Sequence, residues 1–218
     1  MSIPRIALLA LAVAFASACS DSVTASDDHS SSIRVINASG VPLDVLVDGA
    51  VAIPTLGVAA VSAPTSVAAG AHVVGLRTAG GTITSLSVQS VTNQTTTTVV
   101  SPGTGSSLAV SVLADTGSIV PAGKSKLRVT HLAGTSAVEF WRTQPDFQTP
   151  VHIMTPFPYG ATSPYLQSDP GAWEVFVTPP GGGSKLATTG AITVPSGEKR
   201  TVVLLDSLGV LKFRVIAE

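Results

Sequence analysis

The chain has 218 residues, 44% of them hydrophobic, with 12 Lys and Arg against 13 Asp and Glu. So even a balance, with no basic cluster, excludes nucleic-acid binding driven by counterion release. A single cysteine excludes an intrachain disulfide, so the fold must rest on its core alone.

Residues 1–18, MSIPRIALLALAVAFASA, carry one basic residue, Arg5, and then an apolar run from Ile6 to Ala18. That run is shorter than the roughly 20 apolar residues of a membrane-crossing helix, and it reads as an export signal with small residues at its cleavage site. Cys19 follows Ala16-Ser17-Ala18, where a lipoprotein cysteine belongs. The reading is a diacylated and N-acylated Cys19 that anchors the chain to the cell envelope, at the outer membrane or cell surface, because several acyl chains give stable membrane attachment. The alternative is ordinary signal peptidase cleavage after Ala18 and a secreted product. Residues 19–32 are small and polar and form a flexible tether.

From Ile33 onward the pattern is short alternating apolar runs separated by turn residues. Leu43, Val45 and Val47 alternate with Asp44, Leu46 and Asp48, and the run stops at Asp48-Gly49, a hairpin dipeptide. His72, Val74 and Leu76 alternate in the same way, and strands are expected at 95–100 and 108–114. No apolar period of helical type persists, and the abundant Val and Thr suit pleated strands. The class is all-β.

The pattern then repeats. IRVINASG at 33–40 matches LRVTHLAG at 127–134; GAHVVGLRTAGG at 70–81 matches GAWEVFVTPPGG at 171–182; and TVV recurs at 98–100 and 201–203. The offsets are 94, 101 and 103, drifting as loop insertions would make them drift. The expected organisation is two tandem immunoglobulin-like β-sandwiches, 33–117 and 125–218, each with the strand spacing of that fold.

The string RVINASGVPLDVLVDG, followed by VAAGAHVV, resembles the bacterial domain-of-unknown-function family numbered 4397. In the second copy the resemblance is carried by LRVTHLAG, SDPGAWEV and VPSGEKRTVVL, while the strand before the Asp-Gly turn has become SAVEFWRTQ. The resemblance implies an extracytoplasmic β module without established activity, and brings no catalytic residues.

No nucleophile elbow, zinc helix, phosphate loop or EF-hand spacing is present, and no metal or cofactor is expected. His131 falls in phase with Leu127 and Val129 as an inward residue near a strand end, and His72 aligns with Trp173 as a packing residue. Asp44 and Asp48 read as a solvated outer face ending in a turn. The rival to a non-enzymatic reading is a small metal-dependent envelope hydrolase using His131 and His152.

Every Trp and Tyr, and every Phe beyond the leader, lies in the second copy. Most fall in the proline-rich stretch 139–165, which makes Trp141, Phe147, Phe157, Tyr159 and Tyr165 the candidate binding surface; the alternative is that these rings fill a wider core. Trp173 and Phe176 should point to opposite faces. The expected partners are the membrane, through the lipid anchor, and an unidentified envelope protein or glycan.

Overall fold

A computed structural model of the chain describes residues 31–78, 81, 83–91, 96–103, 108, 110–113, 119–134, 136–143 and 149–218. Cys19, the leader and most of the tether lie outside these residues. Among those described there are sixteen strands and no helix, so the all-β expectation holds.

The first eight strands are β1 (Ser31–Ser39), β2 (Leu43–Val47), β3 (Ala50–Leu56), β4 (Thr65–Val67), β5 (Gly70–Thr78), β6 (Ile83–Val91), β7 (Thr96–Gly103) and β8 (Ser111–Leu113). The remaining eight are β9 (Ser125–Leu132), β10 (Val138–Arg142), β11 (Val151–Phe157), β12 (Leu166–Ser168), β13 (Gly171–Thr178), β14 (Ala187–Val194), β15 (Lys199–Ser207) and β16 (Val210–Ala217). The strands depart from the sequence reading in places: β1 starts at Ser31, inside the stretch read as tether, β7 runs on to Gly103, and β8 is only three residues long, pairing Ser111 to Leu113 with Val100 to Thr98.

Each set of eight forms two four-stranded sheets. The orders are β4-β1-β7-β8 with β3-β2-β5-β6, and β12-β9-β15-β16 with β11-β10-β13-β14. In both sets one pairing is parallel, β1 with β7 and β9 with β15. Ile33, Val35, Leu43, Val45, Val74 and Leu76 bury against one another from the two sheets of the first set. Leu127, Val129, Phe140, Trp173, Val175 and Val202 do the same in the second. Period-two alternation explains these choices, because every second side chain of a strand faces the opposing sheet.

The correspondence reaches individual hydrogen bonds. Val35 N is 3.0 Å from Ser62 Oγ, and Val129 N is 3.0 Å from Ser163 Oγ. Asn37 N donates to the Ala60 carbonyl, and His131 N to that of Ala161. His72 Nε2 donates to the carbonyl four residues back, Ala68, as Trp173 Nε1 does to Asp169. The extra length of the second set lies chiefly between β10 and β11, since Val47 pairs with Ala50 where Arg142 pairs with Val151. In the shorter connection Asp48 and Gly49 both adopt positive φ, 51° and 85°, as a two-residue hairpin requires.

A third apolar cluster joins the two sets. Ile36, Ala59 and Leu113 from the first meet Leu132, Val203, Leu205 and Ile216 from the second. Ile36, Val203 and Leu205 sit on the faces of β1 and β15 turned away from each set's own core, so β15 is buried on both sides and reads as the unbroken run TVVLL. Beside this seam the side chain of Glu218 is fully buried, 3.6 Å from Arg34 and 3.7 Å from Arg128, two arginines at matching positions of β1 and β9.

Candidate recognition surface

Phe140 faces the core of the second set, so its neighbour Trp141 emerges on the outer face of the β11-β10-β13-β14 sheet. Register aligns Trp141 with His152 on one side and Phe176 on the other, and Phe176 with Thr188. The Trp141 and Phe176 rings are parallel to within 3°, with centroids 6.0 Å apart, and His152 lies tilted against the other side of Trp141. Lys185 Nζ stands 4.2 Å from the Phe176 ring centre. The result is a cross-strand row, cation, phenyl, indole and imidazole, whose ring pairs each contribute about 0.5–1.5 kcal/mol beyond area burial.

Polar groups hold the row in place. Trp141 Nε1 donates to Thr178 Oγ1 at 3.1 Å. Glu139 Oε1 accepts from Gly181 N at 2.9 Å, while its Oε2 lies 3.4 Å from His152 Nε2. Burial works against the Glu174 carboxylate, but hydrogen bonds from Lys185 and Thr188 outweigh it and hold its pKa below the usual value. Exposed Met154, two residues on from His152, extends the apolar strip along edge strand β11, whose Pro156 interrupts the edge against adding a further strand. The matching row of the first set is Val51, Leu46 and Gly75, without a ring.

The other predicted aromatics lie elsewhere. Phe157 is a correction: it is completely buried in the core, with its ring 5.0 Å from that of Phe140, because it ends β11 opposite Val138 on the inward side. Tyr159 is half-exposed and lines a cleft of about 330 Å³ between the two sets, with Ala38, Gly40, Leu132, Asp206 and Leu208. Burial raises its phenol pKa. Tyr165 lies under the Arg128 guanidinium, 4.5 Å from ring centre to Cζ, beside the Glu218 cluster. Phe147 lies outside the described residues. Of the four that are described, Trp141 alone belongs to the outer row.

Phe176 and Trp173 do face opposite ways. Trp173 is in the core, whereas Phe176, though 6% exposed, is covered by Trp141 and Lys185 rather than by the opposing sheet. Sequence reasoning left Phe176, Glu139 and Lys185 out of the site, although alternation from Trp173 already turned Phe176 outward.

His131 is fully buried against Phe140 and Tyr159, with Nε2 3.3 Å from the Ser136 carbonyl, and burial lowers its pKa. His152 stands against Trp141 on the opposite face of β10. A sheet separates the two imidazoles, so the hydrolase reading lacks its ligand pair. Among the described residues no group of three His, Cys, Asp or Glu could hold a metal ion.

His72 occupies the place of Trp173 but acts as an ionic clamp, with Nδ1 2.7 Å from Asp48 Oδ2. Asp48 also accepts from Val73 N, and Asp44 pairs with Arg77 at 2.9 Å and with Thr55 N, so these carboxylates fasten strands rather than stand free in solvent.

What the geometry defines is an all-β chain of paired four-stranded sheets with a row of rings on one outer face. The family model Domain of unknown function (DUF4397) matches residues 19–141, more than half of the sequence, and the chain belongs to that family. The matched span runs through the first set into β10. No curated protein matches the chain. A crystal structure from Bacteroides fragilis NCTC 9343, described as a "putative cell adhesion protein", is similar at 10% identity over 83% of this chain and 84% of that one, with a TM-score of 0.22. So low a score does not define a shared fold.

Proposed function

We propose that the chain is a non-enzymatic cell-envelope lipoprotein, anchored through Cys19, whose two tandem immunoglobulin-like sandwiches present a recognition surface away from the membrane. The matched sheet orders and registers support the tandem reading. The observation that carries the functional reading is the asymmetry between matched outer faces: His152, Trp141 and Phe176 where the first set has Val51, Leu46 and Gly75. Aromatic side chains fixed on a rigid sheet offer contact area at low entropic cost, which is what recognition surfaces use. The partner is an envelope protein or glycan.

Capture from native envelope extract by the full chain tests this reading. Trp141→Ala removes the centre of the row and should abolish capture while the protein stays folded; undiminished capture by a folded Trp141→Ala variant refutes it. Anchoring is tested separately by the intact mass of protein purified from its native host, where an unmodified amino terminus excludes lipidation.

A further inference from the structure

The two sets close the same end of their cores differently. In the first, half-buried Val47 and Val67 pack against the apolar cluster. The second places Arg142 and Ser168 at the matching positions of β10 and β12. Together with Lys124, Gln167, Asp169 and Trp173 they enclose a polar recess of about 230 Å³. A valine plug is the simpler way to seal a sandwich, and a guanidinium on the core-facing side of a strand costs desolvation.

Arg142 is held ready rather than neutralised. Its Nη1 donates to Ser168 Oγ at 2.7 Å, and its Cζ lies 5.0 Å from the Trp173 ring centre. Among the described residues no carboxylate pairs with it: Asp169, the acid of the recess, is bound to Lys124 at 2.6 Å. Desolvation lowers the Arg142 pKa, yet a guanidinium keeps its proton across the physiological range. Among the described residues the recess therefore carries one uncompensated positive charge, with further N–H donors of the planar Arg142 fork beyond the one bound to Ser168. The Trp173 indole N–H is already committed to the Asp169 carbonyl, which leaves the ring as an apolar wall.

We propose that this recess binds a carboxylate carried on a hydroxylated ring, as in a uronic acid residue of a polysaccharide. The guanidinium fork matches the two oxygens of a planar carboxylate. The Gln167 amide and Ser168 hydroxyl offer partners to neighbouring ring hydroxyls, and the volume fits one sugar unit. The recess opens on the core side of β10, away from the Trp141 face, so it stands or falls independently of the recognition row.

The test is titration of the full chain with glucuronate at low salt, followed through the Trp173 indole N–H signal in ¹⁵N-correlated NMR spectra. The expected result is a saturable shift with a Kd on the order of 1 mM. Glucose, acetate, sulfate and N-acetylaspartate should each bind at least about tenfold more weakly. Arg142→Gln should lose glucuronate binding at least about tenfold, and Lys124→Gln, at the exposed rim, about threefold with an unchanged fold. The proposal is overturned by the absence of a saturable shift, or by sulfate, acetate or N-acetylaspartate matching glucuronate. Full binding by a folded Arg142→Gln variant also overturns it; should that variant not fold, undiminished binding by Lys124→Gln does so.

Discussion

Truncating Phe157 separates core from surface in the aromatic-rich stretch most sharply. The side chain is fully buried, its ring meets that of Phe140 edge-on at 5.0 Å, and it belongs to the same cluster as Val138 and Trp173. Phe157→Ala removes that ring from a packed interior and leaves a cavity that the rigid sheets on either side cannot close. Substitutions of this kind cost about 3–5 kcal/mol. For a chain of about 200 residues each kcal/mol shifts Tm by roughly 2–4 °C, so the midpoint should fall by roughly 6–20 °C. Its first-set counterpart Leu56, 7% exposed, should cost about 2–5 kcal/mol when cut to alanine. Trp141→Ala should cost less, about 1–3 kcal/mol, because its main contacts are the two ring neighbours of the row. Urea and thermal denaturation of the three variants measure all of this. A loss below about 1 kcal/mol for Phe157→Ala would show that the ring is not packed as described.

Three further outcomes follow from buried and titrating groups. Glu218→Ala strips the counter-charge from Arg34 and Arg128 and should destabilise by about 3–5 kcal/mol, read by denaturant midpoint, whereas an exposed ion pair would cost under about 1 kcal/mol. His72 has both ring nitrogens facing acceptors; its hydrogen bond to Asp48 raises its pKa, so its contribution is complete below about pH 6.5 and is lost as pH rises through the raised folded value. His131, lowered by burial, works the opposite way: its contribution is full above about pH 6.5 and is lost as pH falls through the depressed folded value. Stability measured from pH 5 to 8 should therefore rise more steeply with pH in His72→Gln and less steeply in His131→Asn, and matching slopes would contradict both assignments.

The strand class was legible because it depends on local period, and the strings IRVINASG and LRVTHLAG, offset by 94, fall on β1 and β9, where Val35 and Val129 each pair in register with a parallel neighbour. The seam between the two sets was not legible. Ile36, Leu132 and Val203 lie on the faces that alternation assigns to solvent, and only the approach of a second sheet makes them interior. The aromatic row was half visible. Trp141 was readable from composition, but its partners come from two other strands, β11 and β13, and from the loop before β14, and the strand registers are set by bulged pairings that no sequence window contains. Phe157 was misread for a related reason: a proline-rich stretch looks like a loop, yet Val151–Phe157 is an edge strand whose last residue turns inward. His72, at the position matching the core Trp173, makes an ion pair that was not legible, because Asp48, at the hairpin tip, reaches it across 24 positions of sequence.

The most direct measurement for the recognition surface is site-specific photocrosslinking of the full chain in native envelope. A photoreactive phenylalanine at His152 should yield a discrete partner adduct that disappears when Trp141→Ala is added, and the same probe at Val51, its counterpart on the first set, should yield none. Equal adducts from both positions, or an adduct at His152 that survives Trp141→Ala, would contradict the assignment of recognition to this face.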